Sequence, residues 1–202
     1  TDELELDGSR IAQKGVVVVT LNYRVNVFGF LAMKELEDEN GKSGNYGYYD
    51  QYTAIQWVKH NIKAFGGNPE KMTLIGQSAG AASAETQIKS PLNRGVFQGA
   101  IIQSSAGFVS VLKAKDNREN AYRRGKELFD QSGCATIAEF RKMPAEELFH
   151  LFERLSAKNP IGYTTAVFDE NFTGREKNRP CETNIICSLT SQDVMPPILY
   201  FL

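Results

Sequence analysis

The stretch MTLIGQSAG at residues 72–80 decides the fold. Its first four residues are apolar or β-branched and predict a short strand, whereas the small residues from Ala79 to Ile88 predict a helix. The pattern Gly-x-Ser-x-Gly, centred on Ser78, lies between them. A strand that runs through this pattern directly into a helix is typical of a nucleophile elbow, which exposes the serine hydroxyl at the carboxyl edge of a sheet.

Steric and electrostatic requirements account for the small residues of this turn. Side chains at Gly76 or Gly80 would collide across so sharp a turn, and Ala79 is small for the same reason. The Ala79 N–H is expected at the helix N-terminus, where backbone donors and the helix dipole favour a developing oxyanion. Ser78, preceded by Gln77, is therefore the candidate nucleophile. The alternative is a glycine-serine loop that merely caps a helix.

Outward from the elbow, short apolar runs alternate with helical patterns. Residues 15–23 predict a strand buried on both faces, and residues 99–103 and 184–189 predict two further strands. Asp50 is a candidate N-cap for a helix with an apolar stripe, which Gly66 and the residues after it end. This alternation predicts an α/β protein with a mostly parallel sheet and flanking helices.

Beyond residue 105 the pattern becomes helical. One predicted helical face carries Ala121, Gly125, Leu128 and Phe129, and Pro144 suits the first turn of a second helix. We therefore interpret the chain as one partial domain in three parts. They are a sheet core with the elbow (1–111), a helical excursion and connection (112–183), and a return strand with its loop (184–202).

Composition excludes several classes of function. The 23 basic and 24 acidic residues give a net charge of −1, which argues against a nucleic-acid partner. No apolar run approaches the roughly 18 residues that span a membrane. Three cysteines (Cys134, Cys181 and Cys187) match no zinc spacing and are expected to be buried small hydrophobes, so no metal site is predicted.

A serine nucleophile needs a base, and the base needs an orienting acid. Two histidines are present, and both fall within predicted helices rather than in a loop after a strand. We therefore interpret His60 and His150 as surface or packing residues. The chain is expected to lack its catalytic base.

The residues around the elbow resemble the type-B carboxylesterases, a family with the α/β-hydrolase fold that includes cholinesterases and bacterial para-nitrobenzyl esterases. The likeness is dense over residues 7–105 and looser afterwards. Besides the elbow, it rests on matching segments at residues 22–31, 44–51, 57–62, 65–69, 90–91 and 102–105.

The resemblance implies hydrolysis of a small-molecule carboxylic ester through an acyl-serine, without metal or organic cofactor. It also implies an acid in the loop after the next strand, usually a glutamate before a glycine. Asp193, followed by Val194, matches that position, and Asp169 or Glu170 are alternatives. The family's oxyanion glycines would precede Thr1 and its histidine would follow Leu202, so we expect an internal fragment.

Three further expectations follow from the resemblance. The residue before the nucleophile is usually glutamate, and Gln77 should make the site less attractive to cationic substrates. Cys134 resembles the first cysteine of a disulfide in secreted members but has no partner at residues 137–141, which favours a reducing compartment and so the cytoplasm. Arg24 is expected in a buried ion pair, with substrate contact as the alternative.

Two other functions stay open beside the esterase. One is a non-catalytic interaction protein on the same fold, which the missing histidine allows and the complete elbow around Ser78 disfavours. The other is a fragment without a function of its own.

Overall fold

A computed structural model of the chain describes residues 7–105, 117–158, 163–164, 166–167, 169, 172 and 183–188. Short 3₁₀ turns at Ile62–Phe65 and Pro91–Asn93 accompany the regular elements. These are α1 (Ser9–Ala12), α2 (Asn26–Phe30), α3 (Lys34–Asn40), α4 (Tyr46–Asn61), β1 (Thr73–Gln77), α5 (Ala79–Lys89), β2 (Gly99–Gln103), α6 (Asn117–Gln131), α7 (Ile137–Phe140), α8 (Ala145–Ser156) and β3 (Asn184–Ser188).

The three described strands form one parallel sheet in the order β1-β2-β3. Gln77 of β1 is level with Gln103 of β2, which is level with Ser188 of β3. All three strands therefore present their carboxyl ends at one edge. The predictions of a parallel sheet and of strands near 72–75, 99–103 and 184–189 are confirmed.

Backbone contacts divide the chain into two compact units. The first comprises Thr1–Asn22, Asp50–Val111 and Glu170–Leu202 and contains the sheet. There α5 packs on β1 and β2 through small side chains, with Ala81 and Ala84 fully buried. Small residues let a helix approach the strands closely, and this explains why the sequence after the elbow is rich in alanine.

The second unit comprises Tyr23–Tyr49 and Leu112–Asp169 and is built around helices. Buried residues of α6 (Ala121 and Leu128) confirm the predicted apolar face of that helix. Pro144 is the N-cap of α8, one position before the predicted first turn. The main core of this unit consists of Val27, Leu31, Met33, Leu128, Phe140, Leu151, Phe152 and Tyr163. The division at residues 111 and 183 stays a prediction.

The predicted strand at residues 15–23 is wrong for the part of the chain that the structure describes. No strand pairing is present there, and Val16 and Val17 are 51% and 44% exposed. β-Branched residues favour extended backbone, but a strand exists only when a neighbour supplies ladder hydrogen bonds. Within the described residues, β1 pairs only with β2.

The predicted helix start at Asp50 is also wrong, because α4 begins four residues earlier at Tyr46. The Asn45 carbonyl accepts the first helical hydrogen bond, from Tyr49 N–H at 3.0 Å. A Cβ on Gly47 would lie 2.4 Å from the Arg24 carbonyl oxygen. Gly47 therefore serves close packing inside a helix. At the far end Gly66, with φ of 82°, ends the helical segment as predicted.

Asn45 fastens two distant segments of the second unit. Its side-chain amide donates to the Val167 carbonyl at 2.7 Å, and its oxygen accepts the Val167 N–H at 2.9 Å. Both residues are buried, and Asn45 has a positive φ of 57°, which asparagine tolerates better than most residues. The two hydrogen bonds and the positive φ explain why an asparagine suits position 45.

Replacing Asn45 with glycine tests the role of these hydrogen bonds, because glycine adopts the positive φ freely but cannot make the two side-chain hydrogen bonds. Leaving two buried backbone groups unsatisfied should reduce the free energy of unfolding by about 3 kcal/mol. Urea denaturation measures the change. The control is Asn68→Gly, which removes one exposed local hydrogen bond and should cost less than about 1 kcal/mol. Equal losses in the two variants would contradict the role of Asn45.

Candidate active site

Ser78 occupies the turn between β1 and α5 in an unusual backbone conformation. Its φ is 52° and its ψ is −117°, a region that L-residues with a side chain rarely adopt. The Ser78 N–H donates to the Gln103 carbonyl at 2.9 Å, and the Ser78 carbonyl accepts the Ala82 N–H at 3.1 Å. The turn is therefore held on one side by β2 and on the other by the first turn of α5.

Gly76 makes this turn sterically possible. A Cβ on Gly76 would lie 2.1 Å from the Gly80 carbonyl oxygen and 2.4 Å from its carbonyl carbon. These are backbone atoms of α5, so no side-chain rotation could relieve the collision. The strand and the helix approach each other this closely only because residue 76 has no side chain.

The Ser78 side chain does not cap the helix that follows it. Ser78 holds the N-cap position of α5, yet its hydroxyl makes no capping hydrogen bond. A serine kept for helix capping would accept a hydrogen bond from an N–H of the first turn. Ala79 is the first residue of α5, and N–H groups of a first turn have no acceptor within their helix. Ser78 is thus a half-buried serine at the N-terminal end of α5 whose side chain makes no capping hydrogen bond.

A buried amide network behind α5 was missed by sequence reasoning. The Gln87 amide donates to Gln51 Oε1 at 3.0 Å, and the Asn93 amide donates to Gln87 Oε1 at 2.7 Å. The three side chains are at most 3% exposed. These two buried hydrogen bonds link α4, α5 and the 3₁₀ turn at Pro91–Asn93, and Gln51 Nε2 is buried without a hydrogen-bond partner. Gln51 belongs to the family-like segment at residues 44–51, but its partners are distant in sequence.

Of the three candidate acids, Asp169 lies among the residues that the structure describes. Asp193 and Glu170 lie outside the described residues, so their positions stay predictions. Asp169 is buried in the second unit and accepts a hydrogen bond from the Tyr49 hydroxyl at 2.7 Å. Burial, aided by this hydrogen bond, raises the pKa of the Tyr49 hydroxyl, which therefore stays a donor at neutral pH. This contact gives Asp169 a structural role.

Both histidines are exposed on helices, as predicted. His60 Nδ1 lies 2.6 Å from the Gln56 carbonyl oxygen on α4. His150 Nδ1 lies 3.2 Å from a Glu153 carboxylate oxygen on α8. Each contact joins residues of a single helix. Neither ring occupies a loop after a strand, where triad histidines are found.

The burial expected for Arg24 and for the cysteines is wrong. Arg24 is exposed rather than buried, and its guanidinium lies 5.6 Å from the centre of the Tyr46 ring. Cys187 is exposed on β3 and Cys134 is only partly buried, while Cys181 lies outside the described residues. Both described thiols are free. Apolar character suggested burial, but exposure depends on which elements cover a residue.

Among the described residues, no cluster of three or more histidine, cysteine or acidic side chains is arranged to hold a metal ion. Among the helices of the same residues, none combines the length and the apolar character needed to cross a bilayer.

Comparison with known proteins identifies the family. Residues 1–195 match the model of the carboxylesterase family. The chain belongs to that family. The fumonisin B1 esterase of Sphingopyxis macrogoltabida is 44% identical over 144 residues, which are 70% of this chain and 25% of that protein.

Solved structures agree with this assignment. A thermophilic PNB esterase superposes with a TM-score of 0.75 at 27% identity, over 93% of this chain and 40% of that chain. A carboxylesterase of Geobacillus stearothermophilus superposes with a TM-score of 0.71 at 33% identity, over 92% of this chain and 39% of that chain. The fold is that of an α/β-hydrolase, as predicted. The chain spans less than half the length of these matching proteins.

Substituting Gly76 with alanine tests whether the strand-to-helix approach controls the elbow. The new Cβ would meet fixed backbone, so the free energy of unfolding should fall by about 3 kcal/mol or more. The control is Gly99→Ala on β2, where the added Cβ would meet the side-chain oxygen of Thr73 at 3.0 Å. That contact can be relieved by a small shift, and the expected cost is about 1 kcal/mol. Equal denaturation midpoints would contradict the account.

Proposed function

We propose that this carboxylesterase-family chain carries the nucleophile of a serine esterase. Ser78 attacks the carbonyl carbon of a carboxylic ester, the alcohol leaves, and an acyl-serine forms that water then hydrolyses. The observation that carries the proposal is the backbone of Ser78, whose positive φ and uncapped helix position give its hydroxyl no evident structural task. Strain of this kind persists at sites where the surrounding structure maintains it for a purpose.

The donors beside Ser78 suit the charge that develops during attack. As the carbonyl becomes tetrahedral, its oxygen gains negative charge and needs preorganised donors. In our proposal the Ala79 N–H supplies one of them. Its place as the first residue of α5 supports this role, because the positive end of the helix dipole lies there.

Asp193 is the proposed acid that orients the histidine. The level register of Gln77, Gln103 and Ser188 supports this choice, because a loop that leaves β3 starts at the same edge as the elbow. Asp193 follows the end of β3 by five residues. Ligand-binding loops of parallel sheets gather at this edge. Asp169 is less suitable because Tyr49 already uses its carboxylate.

The base histidine is proposed to come from outside this chain. Both histidines of the chain are exposed on helices, and their contacts lie within those helices. The chain also spans only 40% of the thermophilic PNB esterase it matches, which leaves most of such a protein to supply the missing group. Loss of the base from a serine triad costs on the order of 10⁶-fold in kcat.

We also propose a cytoplasmic location. Free thiols at Cys134 and Cys187 support it, because thiols stay reduced in that compartment.

A fluorophosphonate probe tests the role of Ser78. The full-length natural protein should be labelled rapidly on Ser78 and hydrolyse a simple ester such as para-nitrophenyl butyrate. The isolated chain should show only trace labelling and turnover, because it lacks the base. Peptide mass spectrometry locates the adduct. Ser78→Ala should abolish it, whereas Ser83→Ala, a buried serine on the same helix, should leave it unchanged.

Two results would contradict the proposal. Strong labelling of the isolated chain would show that it already contains a base. Failure to label Ser78 in a folded full-length protein would favour the non-catalytic interaction protein.

Gln77 provides a prediction about substrates. Its side-chain oxygen is buried next to the nucleophile and has no hydrogen-bond partner in the structure, and the residue carries no charge. The full-length protein should therefore prefer neutral esters to choline esters in kcat/KM. Gln77→Glu keeps the size and adds a negative charge, which should raise the relative kcat/KM for choline esters about tenfold. A native preference for choline esters would contradict this view of the site.

A further inference from the structure

Two serines follow neighbouring strands at the same level of the sheet, and both have a positive φ. The described residues with positive φ, glycines aside, are two asparagines and two serines. Asparagine tolerates this conformation well, but serine adopts it less readily. Ser78 (φ 52°) follows Gln77, and Ser104 (φ 57°) follows Gln103, the partner of Gln77 across the sheet. The second outlier is therefore beside the first, and the proposed chemistry leaves Ser104 unexplained.

The peptide group between Gln103 and Ser104 is hydrogen-bonded to the elbow. Its carbonyl oxygen accepts the Ser78 N–H at 2.9 Å, one rung beyond the last paired residues. If Ser104 were extended, β2 would continue past the level at which Ser78 leaves β1. The left-handed residue instead ends β2 at that rung.

The residue that follows Ser104 is also held by a hydrogen bond. The Ser105 hydroxyl donates to the Glu85 carboxylate of α5 at 3.2 Å. Ser104 is 9% exposed and lies between this contact to the helix and the Gln103 contact to the elbow. Hydrogen bonds on both sides of a residue can maintain a positive φ that the residue would rarely adopt in their absence.

We propose that Ser104 is a positioning residue for Ser78, acting through its left-handed backbone, which ends β2 level with the elbow and fixes the Gln103 carbonyl. The inference deepens the proposed function, since it matters for catalysis only if Ser78 is the nucleophile. The backbone conformation of residue 104, and not its hydroxyl, carries the effect.

Hydrogen exchange of the Ser78 amide, followed by NMR on the isolated chain, tests this directly. The readout is the protection of Ser78 relative to Leu74 in the interior of β1. Ser104→Thr keeps the hydroxyl but adds a β-branch that disfavours positive φ, so this ratio should fall about tenfold. Ser104→Gly removes the hydroxyl but accepts positive φ, so the ratio should stay within about twofold of the wild-type value.

A matched control separates local from general effects. Asn26→Thr places the same β-branched residue at a left-handed position (φ 45°) in the other unit and should leave the ratio unchanged. The proposal is overturned if Ser104→Thr lowers Ser78 and Leu74 together or changes neither, if Asn26→Thr gives the same local loss, or if Ser104→Gly loses the protection.

A second measurement covers the case in which Ser104→Thr does not fold. Scalar coupling across the hydrogen bond from the Ser78 N–H to the Gln103 carbonyl should be detectable in the wild-type chain and in Ser104→Gly. Its absence from either overturns the proposal. These readouts do not depend on catalysis, whereas fluorophosphonate labelling of the full-length protein tests Ser78 as nucleophile, so the two failures are distinguishable.

Discussion

The contact between the backbones of residues 76 and 80 is the constraint on which the site depends. The space for a Cβ on Gly76 is already filled by the carbonyl group of Gly80, at 2.1 Å from the oxygen. A strand can pass into a helix within so few residues only when it turns this tightly. The positive φ of Ser78 is the conformational consequence, and its cost, about 1–3 kcal/mol for such residues, must be offset by the surrounding structure.

The surroundings offset it through contacts on each side. The Gln103 carbonyl holds the Ser78 N–H from the sheet, and the first turn of α5 holds the Ser78 carbonyl. Buried alanines let α5 lie close to β1 and β2, while Gln87, in the last turn of α5, is hydrogen-bonded to Gln51 and Asn93. The conformation of Ser78 therefore depends on the strands and the helix around it rather than on five residues.

Sequence reasoning succeeded where the determinants are local. The predicted strand and the small-residue helix lie within residues 72–89, and the structure contains both, with Gly76 closely packed where they meet. It failed where the outcome depends on partners distant in the chain. Residues 15–23 have the composition of a strand but no ladder partner among the described residues, and Cys187 is apolar but uncovered. The hydrogen bond between Gln51 and Gln87 could not be predicted for the same reason, since the two residues are 36 positions apart in the sequence.

A crystal structure of the full-length protein after reaction with a fluorophosphonate would test the central claim most directly. We expect a covalent bond from Ser78 Oγ to phosphorus. We also expect a positive φ at Ser78 and a phosphonyl oxygen within hydrogen-bond distance of the Ala79 N–H. An unmodified Ser78 with negative φ, its hydroxyl capping α5, would contradict the account and leave the elbow as a helix cap.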